Sequence, residues 1–304
     1  MPVDQAGTAD PLSIYGVVPP TVTAFNGAGD LDLERTAAHA EFVVERGAHA
    51  VFPLGTNGEY PLLTGPERDA VVGAVVEAVG ENVPVLAGVG TPGTRRTIER
   101  AKAAVEAGAD GCFVVTPYYY ELDDRGAIEH YRAVDAAVDV PIYAYQIPPL
   151  TGTQLTRETV RTLAEEGTIV GIKDSSRDMP WLGQVVAENP ELSVLVGSDT
   201  LQHAGIATGC SGAVSAVANV FPELVADCYG AAARGDHDRA RTLQRRLFEV
   251  RSALAVGDAP MAGVKAALEI RGVPMGDPRG PLRGMDESAR EELRDRLDGL
   301  GLLE

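Results

Sequence analysis

Short, unbroken apolar runs alternate with longer amphipathic stretches over most of this chain. The runs are 15–23 (YGVVPPTVT), 49–55 (HAVFPLG), 83–89 (VPVLAGV), 111–117 (GCFVVTP), 140–146 (VPIYAYQ), 169–174 (IVGIKD), 193–198 (SVLVGS) and 212–217 (GAVSAV). Each is continuous rather than alternating and rich in Val and Ile, the pattern of strands covered on both faces. The stretches between them repeat their apolar positions with helical spacing, as in 33–47, 67–80, 97–108 and 158–167. Each of these four closes on a glycine (Gly47, Gly80, Gly108, Gly167), where a left-handed residue is expected to stop a helix.

Eight such alternations within about 220 residues predict a parallel sheet. An open, doubly wound sheet is the competing arrangement. Units of similar length with no break for a second domain favour a closed ring. From about Gly235 the strand pattern ceases and three helical stretches follow, HDRARTLQRRLFEVRSAL, APMAGVKAALEIRG and ESAREELRDRLDGL. The expected architecture is therefore α/β, a (β/α)8 TIM barrel over 12–234 that carries the catalysis. A flexible tail precedes it over 1–11, and a three-helix extension follows over 235–304.

Composition narrows the function classes. The 304 residues carry a net charge of −18, which argues against nucleic acid as a partner because phosphate binding needs clustered Lys and Arg. No apolar run is long enough to span a membrane, and the N-terminus lacks the basic and apolar regions of a signal peptide. Three scattered cysteines, Cys112, Cys210 and Cys228, suit a reducing cytoplasm rather than a disulfide framework or a zinc site. There are 44 acidic residues but only three lysines, Lys102, Lys173 and Lys265. Arginine-rich codons explain the lysine scarcity alone, whereas a halophile's surface explains both.

Two motifs point away from the chemistry they usually mark. Gly88-Val-Gly90-Thr-Pro-Gly93 matches G-x-G-x-x-G, but the acidic residue a dinucleotide fold needs at the end of the next strand is missing. Asp110 precedes that strand, and Thr116-Pro117 occupies its end. The five histidines have no metal-ligand spacing, so no metal is expected.

Barrel enzymes carry their chemistry at the carboxyl ends of the strands. Those positions here hold Thr23, Gly55-Thr-Asn-Gly-Glu59, Thr116-Pro-Tyr-Tyr-Tyr120, Tyr145-Gln-Ile-Pro148, Lys173-Asp-Ser175, Gly197-Ser-Asp199 and Ser215. Lys102 and Lys265 read as solvated helix residues, whereas Lys173 ends a core strand. Burial disfavours an ammonium and leaves the neutral amine that attacks a carbonyl, although an ion pair with Asp174 at the rim is the plainer alternative. An imine with a 2-oxo acid also needs amides and hydroxyls for the carboxylate, which the 55–58 turn can supply. Tyr145, ending the preceding strand, can serve as the proton carrier.

These segments resemble the dihydrodipicolinate synthase/N-acetylneuraminate lyase family of pyruvate-dependent class I aldolases, from about residue 14 to 300. Gly55-Thr-Asn-Gly-Glu59 resembles its carboxylate-binding loop and Thr116-Pro-Tyr-Tyr119 its second signature. Tyr145-x-x-Pro-x-x-Thr-Gly152 and Gly171-x-Lys-Asp174 resemble its tyrosine and lysine segments. The resemblance implies a covalent imine on Lys173 with no cofactor, and Tyr145 as proton carrier. It implies a relay through Thr56 to Tyr119, which would reach into a neighbouring subunit. Thr56 and Asn57 would hold the pyruvate carboxylate, Val214 would offer a carbonyl near the imine, and the assembly would be a homotetramer built as a dimer of dimers.

The synthases of the family carry an arginine just before the Thr-Gly of the tyrosine segment, for the aldehyde partner's carboxylate. Leu150 stands there in this chain. The expectation is therefore a 2-keto-3-deoxy sugar-acid aldolase yielding pyruvate and a hydroxyaldehyde, with Ser175, Gly197, Ser198 and Asp199 lining the aldehyde site. Were the substrate phosphorylated, which the sequence does not decide, Arg125 would be a candidate contact. The alternatives are 4-hydroxy-2-oxoglutarate aldolase, dihydrodipicolinate synthase, N-acetylneuraminate lyase, a related dehydratase, and a pyruvate-binding protein without turnover. Gln146 stands where the family usually has asparagine, and the sequence offers no reason for it.

Overall fold

The computed structural model describes residues 13–257 and 260–303, so the expected tail over 1–11 lies outside the described residues. Seven parallel strands form one sheet: β1 (Gly16–Val18), β2 (Leu86–Gly88), β3 (Gly111–Val115), β4 (Ile142–Gln146), β5 (Gly171–Asp174), β6 (Ser193–Val196) and β7 (Gly212–Val214). Their order is β1-β7-β6-β5-β4-β3-β2, so β1 and β2 are the two edges. The missing member is the apolar run at 49–55. Its backbone bonds to both edges: His49 N–H donates to Val17 O (2.8 Å) and Phe52 N–H to Pro19 O (3.0 Å). On its other side Val51 N–H donates to Pro84 O (3.0 Å) and Gly88 N–H to Pro53 O (2.9 Å). It pairs with regular parallel geometry only at Val51↔Val85. Pro19, Pro20, Pro53 and Pro84 explain this, since a proline has no N–H to give to a ladder. The sheet is thus curled, with its edges bridged, in a TIM-barrel-like α/β fold.

Helices alternate with the strands: α1 (Leu33–Val44), α2 (Gly65–Val79), α3 (Thr94–Glu106), α4 (Asp124–Asp135), α5 (Pro148–Thr151), α6 (Arg157–Glu165), α7 (Met179–Glu188), α8 (Gln202–Thr208) and α9 (Pro222–Ala233). Three more follow the last strand: α10 (His237–Ala253), α11 (Pro260–Ile270) and α12 (Glu287–Gly299). Aspartates cap several of them, the side chains of Asp32, Asp123, Asp178, Asp236 and Asp286 each accepting a first-turn N–H. Gly47, Gly108 and Gly167 follow their helices in the left-handed region as expected. Gly80 does not. Its φ is −62°, and its N–H still donates to Val76 O, so α2 ends in a right-handed turn.

Two apolar cores organise these layers. The larger fills the sheet interior and its contact with the surrounding helices, with Phe52, Phe113, Tyr143 and Ile172 among its fully buried members. The second joins Val17 of β1 and Phe221, just before α9, to Leu247 and Val250 of α10, Leu268 of α11, and Leu293 and Leu297 of α12. The last three helices therefore share apolar surface with the sheet layer.

Candidate active site

Strands β4 and β5 run in register, which pairs Tyr145 with Lys173 and Gln146 with Asp174. Side chains alternate along a strand, so the first pair faces one side of the sheet and the second the other. Lys173 is 5% exposed. Its Nζ lies 3.4 Å from the centroid of the Tyr145 ring and 5.5 Å from that of Phe52. Asp174 is not its partner. One Asp174 oxygen accepts from Gln146 Nε2 (2.7 Å) and Ser176 N–H (3.0 Å), and the other from Ser176 Oγ (2.9 Å). Burial raises the Asp174 carboxyl above the usual range, and these bonds oppose that rise. Gln146 now has a reason: its amide oxygen accepts Leu155 N–H (3.0 Å) while its nitrogen holds Asp174, a reach across the layer behind the site.

The turn after Phe52 reaches the same tyrosine. Tyr145, itself 2% exposed, has its hydroxyl 3.2 Å from Thr56 Oγ1. Asn57 Nδ2 is buried without a partner among the described residues, a donor a bound carboxylate would satisfy. The turn is tight: Gly58 N–H donates to Gly55 O (3.1 Å), and Thr23 Oγ1 donates to Gly58 O (2.8 Å). The Lys173 amine and the Thr56 alcohol therefore both meet the Tyr145 side chain, with Asn57 next along the chain. That set can form an imine and move protons about it.

A model of the dihydrodipicolinate synthetase family matches residues 13–299. The chain belongs to that family. It is accordingly a pyruvate-dependent class I lyase. It is 57% identical over 297 residues to a DapA-like lyase of Halobacterium salinarum, itself uncharacterized, covering 98% of this chain and 97% of that one. It is 37% identical over 287 residues to the 4-hydroxy-tetrahydrodipicolinate synthase of Natronomonas pharaonis, covering 94% and 97%. Among solved structures, a prophage protein of the dihydrodipicolinic acid synthase family from E. coli K12, in complex with pyruvate, superposes with a TM-score of 0.91. That match has 31% identity and covers 95% of this chain and 99% of that one.

The other expected site residues are distributed unevenly. Tyr119 is 85% exposed, with φ +83°, and stacks edge-on with Tyr120 rather than meeting Thr56 within the chain. Only the Tyr145–Thr56 half of the expected relay is present in one chain. Ser175 Oγ donates to Gly197 O (3.2 Å), and Gly197 N–H donates to Asp174 O (2.7 Å). A β-carbon on Gly197 would overlap Ser175 Oγ, so this approach of β5 to β6 demands glycine. Ser198 Oγ lies 3.0 Å from Thr200 Oγ1, and Val214 ends β7.

Asp199 departs from its expected part. Its Oδ1 accepts from Ser215 Oγ (2.5 Å) and Val217 N–H (3.1 Å), and its Oδ2 lies 3.5 Å from Arg251 Nε. The carboxylate is thus tied to the loop after β7 and to α10. Arg125 Nε donates to Glu129 (2.8 Å) on the exposed face of α4. Leu150 is 64% exposed on α5.

Gly88 and Gly90 belong to packing rather than to a dinucleotide. A β-carbon on Gly88 would overlap Leu54 O, and one on Gly90 would come within 2.6 Å of Val115. Among the described residues no three His, Cys, Asp or Glu side chains gather as a metal site, and no helix is long and apolar enough to cross a membrane.

Lys265 overturns its reading as a solvated residue. Its side chain is 2% exposed, and its Nζ lies 2.7 Å from Glu59 Oε1. The only trace in the sequence is the apolar residues on either side of it, MAGVKAALEI, which place it on a covered face. Lys102 is exposed as expected.

Proposed function

We propose that the protein cleaves a 2-keto-3-deoxy sugar acid, such as 2-keto-3-deoxygluconate, to pyruvate and a hydroxyaldehyde. The observation that carries the choice of substrate is Leu150, an exposed apolar side chain where a synthase would need a cation. An apolar side chain cannot make the bidentate contact a carboxylate prefers. Lys173 Nζ adds to the C2 carbonyl of the 2-oxo acid, and loss of water gives the imine. Tyr145 takes the C4 hydroxyl proton as the C3–C4 bond breaks, with the bonding electrons moving into the imine as an enamine. The aldehyde leaves, C3 is reprotonated through Tyr145 and Thr56, and water releases pyruvate. Thr56 and Asn57 hold the carboxylate throughout, the unpaired Asn57 Nδ2 supporting that part. No metal or cofactor enters this scheme.

In this reading the fold is a complete (β/α)8 barrel over 12–234, with 49–55 as its eighth member and 235–304 as a helical extension. The enzyme works in the cytoplasm as a homotetramer, with Tyr119 of one subunit completing the relay of another. The exposure and positive φ of Tyr119 support that assembly, since strain of this kind persists where function uses it. Borohydride reduction with pyruvate should fix one reduced pyruvyl group on the peptide holding Lys173, with no chelator effect. Label on Lys102 or Lys265, or none, would rule the mechanism out.

A second reading, condensation of pyruvate with aspartate semialdehyde, is favoured by the named synthases among its relatives. Comparing kcat/KM for cleavage of 2-keto-3-deoxygluconate with kcat/KM for that condensation separates the two. A preference for the semialdehyde would mean that another basic group replaces the missing arginine.

A further inference from the structure

The turn that meets Tyr145 beside Lys173 is bracketed by two residues in the left-handed region, Leu54 (φ +61°) and Glu59 (φ +55°). Neither is glycine, and such conformations persist only where the surroundings over-determine them. For Glu59 those surroundings come from the far end of the chain. Its Oε2 accepts the backbone N–H of Arg279 at 2.8 Å, and its Oε1 is paired with Lys265 Nζ at 2.7 Å. Lys265 lies over the Phe25 ring (4.3 Å) and reaches Asp277 O at 3.4 Å. The Arg279 guanidinium forks onto Glu67 in the first turn of α2 (2.8 and 2.9 Å) and donates to Gly29 O (2.7 Å). Residues 265–279 thus grip the chain on both sides of the 60–62 helical turn that leads out of the site.

We propose that Glu59 is a positioning residue for the carboxylate-binding turn, held in place by Lys265 and the Arg279 backbone. The region after the last strand then sets the geometry of the pyruvate site. This rests on the reading of Thr56 and Asn57 as the carboxylate's seat. A fully buried ion pair adds little net stability over an apolar pair of similar volume, so stability is a poor reason for one here. Geometry is a better one. The chain has only three lysines and buries two of them, one in the site and one beneath its binding turn.

The decisive variant is Glu59→Leu/Lys265→Met, which removes both charges and refills the volume. It should fold, and borohydride should still trap the imine on Lys173 at saturating pyruvate. Its half-saturating pyruvate should rise by about 10²-fold, the scale of a roughly 1 Å misplacement. Glu59→Gln/Lys265→Met keeps an acceptor for Arg279 N–H and should shift in the same direction by less. In the unaltered protein, the Gly58 and Glu59 amides should exchange hydrogen as slowly as those of β4. Wild-type half-saturation in either variant, or fast exchange at 58–59, overturns the proposal. Absence of the imine in the wild type would sink the proposed function instead, leaving the exchange result to decide the role of Glu59.

Discussion

Tyr145 and Lys173 meet because parallel neighbours in register put equivalent residues side by side, each one residue before the end of its strand. With its hydroxyl on Thr56 and its ring against the amine, Tyr145 is the group best placed to move protons. Tyr145→Phe should lower kcat by about 10²–10⁴-fold while imine trapping persists. Near-native turnover would remove it from that role. The same register sends Gln146 and Asp174 to the opposite face, where the amide satisfies a buried carboxylate. Gln146→Leu should destabilise the fold by about 1–3 kcal/mol, the usual cost of stranding such a group; chemical denaturation reads this directly. The amine and the phenol were legible in the sequence because each lies near the end of a core strand. The commitments of Asp199 and Lys265 were not, because their partners, Ser215, Arg251 and Glu59, lie far along the chain.

At the level of elements, buried groups on the helices give the fold an acid limit. His39 of α1 lies with its Nε2 3.1 Å from Asn219 O, and burial lowers its pKa from 6.5 to about 4. His130 of α4 is lowered to about 4 for the same reason. Glu67 of α2 is lowered from 4.5 to about 2, chiefly by its bond to Arg279. In every case the unfolded chain binds the proton more readily, so stability falls as pH falls. The histidines should weaken the fold as pH drops from 6.5 towards 4, and Glu67 between 4.5 and 2. Melting temperatures of the wild type and His39→Gln between pH 7 and pH 4 test the first window. A slope unchanged by the substitution would mean His39 is not among its sources. The strand and helix positions behind this were mostly readable from periodicity. The segment at 49–55 was readable as apolar but not as irregular, since its pairing depends on which neighbours bring prolines to it.

For the molecule as a whole, charge dominates. Carboxylates crowded on one compact surface repel one another, and 26 Lys and Arg offset only part of 44 acidic residues, leaving a net charge of −18. Screening shortens from roughly 30 Å at 0.01 M salt to about 3 Å at 1 M. Melting temperature and oligomer size should both rise with KCl between about 0.05 and 2 M, a range chosen to span that screening. Values independent of salt would reduce the scarcity of lysine to codon usage.

The sequence by itself determined the alternation of strand and helix, the amine and phenol at the strand ends, and the family to which their segments belong. These are local properties, carried by periodicity, by unbroken apolar runs and by short motifs. Tertiary structure decided which polar groups are free to meet a ligand. Asp199 is engaged by Ser215 and Arg251 and Lys265 by Glu59, whereas Lys173 lies against the Tyr145 ring and Asn57 Nδ2 is buried without a partner among the described residues. The physical reason is desolvation. A buried polar group must find a partner, and the partner is chosen by the folded neighbourhood, up to 206 residues away for Lys265 and Glu59.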